Sequence, residues 1–426
     1  MSQVYGVVQR VQAAGACRSG AAALYTSSVV TSSANPGTAM AVPSRVPARL
    51  GQPRVGLVGA GQLARMAYQA AISLGLTLRV LAATVDDCAA RISADVELGD
   101  PDSFERLSAF AAGCDVLTFD HELVDPQQLA ALEADGHRLY PSAATVALAQ
   151  NKRRQRATFG AAGLPVPPNQ VVAAPDDLLS FGAAHGWPVV AKAARGGYDG
   201  RGVWMLEDAA AAEHLWQEAS QRGVELLVEQ WVPIERELAV LVARRPGGEQ
   251  VVYPVVETVQ AGGICREVVA PAPVSPDLAA EAQRIARAVA DLSGVVGILA
   301  VELFLASGRL LVNEIATRPH NSGHYSIEGC YTSQFENHLR AILDWPLGNP
   351  ALIAPCVVMA NVLGRSTDEL HPNLPAALAV DGVRIHLYDK APRPGRKLGH
   401  VTALGADPDE TRARAREAAK RLAGAA

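Results

Sequence analysis

Apolar and polar positions along this chain fall into blocks whose period changes. Residues 54–60, RVGLVGA, are a continuous apolar run closing on Gly59 and Gly61, and residues 62–74 then repeat apolar positions at helical spacing. That predicts a buried strand followed by a helix. The run LTLRVLA predicts a second strand, followed by a helix-like segment near 101–112, a strand at 115–120, a helix near 126–134 and a short strand at 138–140. Alternation of this kind builds a parallel α/β sheet. A single helix is predicted over 144–164, and after the proline-rich break at 165–168 a second α/β unit runs over 169–235. Strands follow over 249–274 around a Gly262-Gly263 turn, then an amphipathic helix at 276–294 and a helix at 333–343. From Pro355 the tail is rich in strands and turns. It ends in a helix, 409–422, whose alternation of charge and alanine predicts a solvated face.

Between those last helices lies the stretch around which the rest is arranged, GILAVELFLASGRLLVNEIATRPHNSGH, residues 297–324. It reads as two strands joined at Ser307-Gly308, each bearing one carboxylate, Glu302 and Glu314. Apolar neighbours draw both acids out of bulk water, where a carboxylate needs a partner, and a hard cation suits two of them. An isolated acid of this sort is as readily a strand-end charge facing solvent; the pair, with Arg318, His320, Asn321 and His324 behind it, points to a site. A regular two-residue turn sets Glu302 opposite Asn313 and sends Glu314 to the other face. A longer or bulged connection sets the two acids opposite each other, and a shared ion requires that second arrangement.

Other candidates are weaker alone. The Gly59-x-Gly61 turn aims helix amides at a phosphate or small anion, or is a purely structural turn. A nicotinamide dinucleotide also needs an acid closing the second strand, which here ends Leu81-Ala82-Ala83. Lys152 and Arg156 share a helix face that could meet a polyanion, although most of the charges around them read as a solvated basic face. Lys192 ends a strand four residues before Gly196, which opens the loop GGYDGRG. Its glycines free the backbone to wrap an oxygen-rich ligand, but no Gly-Lys-Ser/Thr closes a Walker loop. Glu229 lies inside the apolar run LLVEQWV, Glu237 could meet ribose hydroxyls, and Glu235 reads as a surface charge. Lys390, Arg393, Arg396, Lys397 and His400 form either a solvated basic hairpin or a monophosphate clamp.

Composition narrows the classes. The chain has 426 residues, 49% hydrophobic and 19% charged, enough for several domains and against wholesale disorder. A net charge of −5 leaves no footprint for nucleic acid. No apolar run approaches the ~20 residues of a membrane span. Six scattered cysteines without a CxxC pair suit reduced thiols in a cytoplasm. Residues 1–50 hold no Asp or Glu and four Arg, which reads as a disordered leader or an early start, with a transit peptide as the alternative.

Together, GAGQLARM, GGYDGRG, NEIATRPHNSGH and YDK…RPGRKLGH resemble the ATP-grasp superfamily, and within it the 5-(carboxyamino)imidazole ribonucleotide synthase family. The resemblance covers about Pro53 to Leu404. It implies an α/β ATP-grasp fold, with an N-terminal parallel Rossmann-like α/β domain over 51–148, an ATP-grasp domain over 149–350 and a small β-rich C-terminal domain over 351–426. A lid subdomain would occupy about 169–235. It also implies a reaction: ATP, bicarbonate and aminoimidazole ribonucleotide give ADP, phosphate and the carboxyamino product. Lys152 and Lys192 would contact ATP phosphates, under a mobile loop of Gly197, Tyr198, Asp199, Gly200, Arg201 and Gly202. Glu229, Gln230, Trp231 and Val232 would line the adenine pocket and Glu237 hold the ribose. Glu302 and Glu314, with Asn313 beside them, would bind Mg2+, with Mn2+ as an alternative. Arg318, His320, Asn321 and His324 would surround carboxyphosphate. Gln62, Lys390 and Arg396 would meet the ribonucleotide. Lys152 stands where many members carry Arg, which keeps the charge without the bidentate fork. A cytoplasmic homodimer is the assembly implied. Another ATP-grasp carboxylate–amine ligase or formate-dependent transformylase is the nearest alternative; an oxidoreductase or a non-catalytic nucleotide binder lies further off.

Overall fold

The computed structural model describes residues 9–10, 51–197 and 200–424. The expected leader, apart from a two-residue strand at Gln9–Arg10, lies outside the described residues, as do Tyr198 and Asp199. The described residues form three sheets. The first is parallel, in the order Asp95–Leu98, Thr77–Ala82, Arg54–Val58, Val116–Phe119. Apart from the edge strand Asp95–Leu98, its strands are apolar on both faces because helices cover both. The short strand expected at 138–140 is reduced to one bridge, between Leu117 and Leu139.

The second sheet is antiparallel over Val203–Leu206, Val189–Ala193, Leu226–Gln230 and Asn169–Val172, with Gln9–Arg10 laid parallel against its outer strand. The third has nine strands. It begins with the hairpin Gly297–Ala306 and Arg309–Ala316 and passes through Ile234–Arg244, Val256–Ala261 and Ile264–Ala270. It then continues into Cys356–Leu363, Lys397–Gly405 and Val383–Leu387, with Gln250–Val252 paired beside Ile234–Arg244. The C-terminal strands are thus an extension of the central sheet, joined where Ile264–Ala270 pairs with Cys356–Leu363.

The helix Gln334–Ile342 fastens the first sheet to the third. Phe335, Leu339 and Ile342 enter the core of the parallel sheet. On the same helix, His338 Nε2 meets Thr118 Oγ1 at 2.7 Å, and His338 Nδ1 accepts from the Ile298 amide at 3.2 Å.

Two helical expectations are corrected. The single helix over 144–164 is two, Ala143–Ala149 and Lys152–Ala161. Asn151 breaks them, its side-chain oxygen accepting from the amides of Arg153 and Arg154. The last helix, Pro408–Leu422, is not a solvated face: Thr411, Ala415, Ala418, Ala419 and Leu422 are buried. Alanine hides an apolar face from a reading that looks for large side chains.

Candidate functional site

The hairpin turn at Ser307-Gly308 is a two-residue turn with both φ values positive, 49° and 69°. Ala306 pairs with Arg309 and Leu303 with Val312, yet Glu302 pairs with Glu314, because Asn313 is an extra residue bulged out of the ladder. The bulge, and not the turn, brings the two acids to one face. Arg156 holds it in place: its guanidinium donates to the Asn313 carbonyl at 2.7 Å.

Arg156 is almost wholly buried, so it cannot share a polyanion face with Lys152. Its Nε lies 2.7 Å from Glu229 Oε1, and Lys192 Nζ lies 2.8 Å from Glu229 Oε2. Burial alone would raise the Glu229 pKa, but Arg156 and Lys192 together hold it at about 2. Lys192 also donates to Asn313 Oδ1 at 3.1 Å. Its own pKa is pulled down by burial.

Beside this satisfied cluster the acids fare differently. Lys152 Nζ is 2.6 Å from Glu314 Oε2 and, against the penalty of burial, keeps that carboxyl below its ordinary range. Among the described residues, Glu302 has only the Asn313 amide at 3.4 Å and His320 Nε2 at 3.6 Å. Burial and then the neighbouring Glu314 push Glu302 to about 7. Burial and then Glu302 push Glu237 to about 8. Glu302 and Glu314 lie opposed on one face, and a pair of carboxylates with Glu302 raised suits a hard divalent cation.

The residues after the hairpin are each held by a partner the sequence did not disclose. Glu122 receives Arg318 Nε at 2.7 Å and the Thr317 amide at 3.0 Å. Asn321 exchanges side-chain hydrogen bonds with Asn361, at 2.9 and 2.8 Å. Burial keeps His320 neutral, at about 3. Burial also holds His324 well below its ordinary value.

These groups surround one cleft of about 1110 Å³. Its wall includes Gln62, Lys152, Lys192, Gly197, Gly200, Arg201, Glu229, Gln230, Val232, Glu237, Glu302, Asn313 and Glu314. It continues through Arg318, His320, Asn321, His324, Lys390 and Arg396. Gly202 and Trp231 do not line it. Lys397 joins Lys390, Arg393 and Arg396 on the wall, but His400 points into the core, with its Nδ1 at 2.8 Å from the Tyr388 hydroxyl. Glu235 is exposed and accepts from the Gly308 amide at 3.2 Å.

The glycine turn of the first sheet does not wait for an external anion. Asp120 Oδ2 accepts from the Gly61 amide at 2.5 Å, and a Cβ on Gly59 would fall 2.0 Å from Asp120 Oδ1. The protein's own carboxylate fills the nest. The run Asp120-His121-Glu122 at the C-terminal end of a parallel strand, where such sheets gather their ligands, is the signal that could have revealed both acids.

Three family models match: a ribonucleotide synthetase preATP-grasp domain over residues 53–150, an ATP-grasp domain over 157–335, and a phosphoribosylaminoimidazole carboxylase C-terminal domain over 357–414. An N5-carboxyaminoimidazole ribonucleotide synthase of Mycobacterium tuberculosis H37Rv is 51% identical over 363 residues, covering 83% of this chain and 84% of the relative. The protein of that name from Corynebacterium ammoniagenes is 43% identical over 385 residues, covering 88% and 93%. Among solved structures, N5-carboxyaminoimidazole synthase from Aspergillus clavatus in complex with ADP and 5-aminoimidazole ribonucleotide superposes with a TM-score of 0.80. It is 32% identical, covering 87% of this chain and 98% of that one.

Proposed function

The chain belongs to the N5-carboxyaminoimidazole ribonucleotide synthase family of ATP-grasp enzymes, and from that premise we propose that it carboxylates 5-aminoimidazole ribonucleotide with ATP and bicarbonate in purine biosynthesis. The observation that carries the reading is the opposed pair Glu302 and Glu314 on the wall of a cleft that also holds Lys152, Lys192 and the Lys390–Lys397 loop.

Bicarbonate is a poor electrophile. Attack of its oxygen on the γ-phosphorus of ATP expels ADP and forms carboxyphosphate. The substrate amine then forms the new C–N bond, directly or after release of carbon dioxide, and phosphate leaves. Phosphoryl transfer needs positioning and neutralised charge more than covalent chemistry. Glu302 and Glu314 would hold Mg2+, or Mn2+ in its place, which supplies charge neutralisation at the phosphates. Lys192, fixed by Glu229 and Asn313, and Lys152 hold phosphate oxygens. Gly197, Gly200 and Arg201 close over them and exclude water from a readily hydrolysed intermediate. Gln230 and Val232 border the base and Glu237 the ribose, while Glu229 acts on Lys192 and not on the adenine. Arg318, His320, Asn321 and His324 face the carboxyphosphate. Gln62 meets the ribonucleotide, with Lys390 and Arg396 at its phosphate. A cytoplasmic homodimer completes the reading; light scattering after size exclusion checks the dimer.

The test is ADP release measured with each substrate omitted in turn. Release that requires both bicarbonate and aminoimidazole ribonucleotide supports the proposal. Release with another acid or amine replaces it with a different ligase.

A further inference from the structure

Gln334 is wholly buried at the first turn of the helix that fastens the parallel sheet to the central one. Its backbone amide donates to Ser326 Oγ at 2.9 Å, and Ser326 Oγ donates to the Gly323 carbonyl at 2.6 Å. Its side-chain amide spends its whole capacity on the run His320–His324. Oε1 accepts from the His320 backbone N–H at 2.8 Å. Nε2 donates to the His320 carbonyl at 2.8 Å and reaches His324 Nδ1 at 3.0 Å. The approach is close enough that a Cβ on Gly323 would fall 2.5 Å from Gln334 Oε1.

This arrangement leaves no freedom in the protons. The His320 N–H can only donate and the His320 carbonyl can only accept, so the amide oxygen and nitrogen cannot be exchanged. The second N–H of the amide must then meet a lone pair on His324 Nδ1. The proton of the neutral ring is forced onto Nε2. Burial disfavours a second proton. The ring packs between Phe335, at 5.7 Å between centroids, and His400, at 5.1 Å, which fixes its plane. No group among the described residues pairs with Nε2, and His324 lines the cleft.

We propose that Gln334 is a positioning residue that locks His324 in its Nε2–H tautomer, so that His324 offers the cleft a neutral hydrogen-bond donor and no base. Which oxygen it serves rests on the function proposed above: a donor here suits a carboxyl oxygen that gains charge as the amine adds to the carbon of carboxyphosphate or of released carbon dioxide. Any proton taken from the amine then goes to phosphate, water or another side chain. Gln334 itself touches no substrate; it acts through the backbone of His320 and the ring of His324.

The first test needs no activity. In the full-length protein labelled with 15N at histidine, long-range proton–nitrogen correlation reads each ring's tautomer, and the His324→Gln variant assigns the signal. The expected pattern is a neutral ring with the proton on Nε2. A proton on Nδ1, or a cationic ring at pH 7.5, overturns the proposal. Failure of the protein to carboxylate aminoimidazole ribonucleotide would sink the functional reading and leave this measurement standing.

The second test is a contrast between variants. Gln can place its side-chain N–H near the position of Nε2 and cannot act as a base. His324→Gln is therefore expected to keep turnover within about 10-fold of the parent, while His324→Leu loses roughly 10²- to 10³-fold, the usual range for one donor at a developing charge. Equal losses in the two variants overturn the donor role. In Gln334→Glu a carboxyl oxygen stands in for the amide nitrogen and has at most one proton for two acceptors. The His324 proton is expected to move to Nδ1, with kcat falling about 10²-fold and KM for ATP within about twofold. An unchanged kcat in a folded Gln334→Glu protein overturns the positioning role. If that variant does not fold, Gln334→Met replaces it under the same kinetic criterion.

Discussion

Glu229 and Glu302 are two carboxylates on the wall of one cleft, and their environments drive them in opposite directions. Glu229 lies between two cations and is held at about 2; Glu302 faces another acid and is pushed to about 7. Asn313 touches both centres, its oxygen receiving Lys192 and its amide reaching Glu302. Buried charge can thus be finished within the chain or left for a ligand to finish. Only the unfinished centre is a place for chemistry, while the finished one holds Lys192 and, through Arg156, the backbone beside it. Telling the two apart requires the partners, because an acid in an apolar strand looks the same in either case.

The largest expected effect comes from emptying the unfinished centre of its charge. Glu314→Gln should leave the fold intact by circular dichroism and lower turnover by about 10⁴-fold, the scale of charge stabilisation in phosphoryl transfer. Normal turnover in that variant removes the cation assignment. The next largest strikes the finished centre. Arg156→Met leaves Glu229 with one cation and frees the Asn313 carbonyl, and should destabilise the protein by about 3–5 kcal/mol in denaturant titration. A loss below about 1 kcal/mol would show that Arg156 does not anchor the bulge.

Cutting the link between the centres should be milder. Asn313→Ala removes one hydrogen bond from each side, about 1–2 kcal/mol in all, and should raise KM for ATP by roughly 10-fold with little change in melting temperature. An unaltered KM would mean that the two centres act independently.

The smallest effect separates the centres by pH. Glu302 and Glu237 titrate near 7 and 8 when folded, against an ordinary 4.5, so between those values the folded protein holds more protons than the unfolded one. Stability should therefore fall as pH rises from about 5.5 to 8.5, by a few degrees in melting temperature. Magnesium with ATP should flatten that slope. Glu229 has the reverse sign: its contribution is complete above about 4.5 and fades as pH drops towards 2. A melting temperature that climbs through pH 5.5–8.5 contradicts the assignment of strained acids.

Much of this was legible in the order of residues, and what was not has a common cause. The alternation of apolar blocks gave the parallel sheet, because that sheet is buried on both faces and its strands are nearly all apolar. The hairpin and its two acids were legible because charge inside an apolar strand demands a reason. The bulge was not: the turn alone would have misaligned the acids, and the group that holds the extra residue, Arg156, lies 157 positions away in the chain. Glu122, Asn361 and Gln334 were missed for the same reason, since each acts on a residue distant in sequence or through an amide that resembles any surface polar group. Asp120 was missed because a glycine turn before a helix advertises room for an anion without saying whether the protein supplies one. The break at Asn151 was within reach, as asparagine before a run of charged helix formers is an N-cap signal.

The nine-stranded sheet has a consequence for how this protein can be cut or recombined. A chimaera that grafted only the last seventy or so residues from a relative would have to splice through the ladder between Ile264–Ala270 and Cys356–Leu363. One that kept the central portion alone would leave the Ile264–Ala270 edge bare and prone to aggregation. The acids at one margin and the basic loop near the other are therefore inherited as one unit, and recombination should succeed only when both halves of that shared ladder travel together.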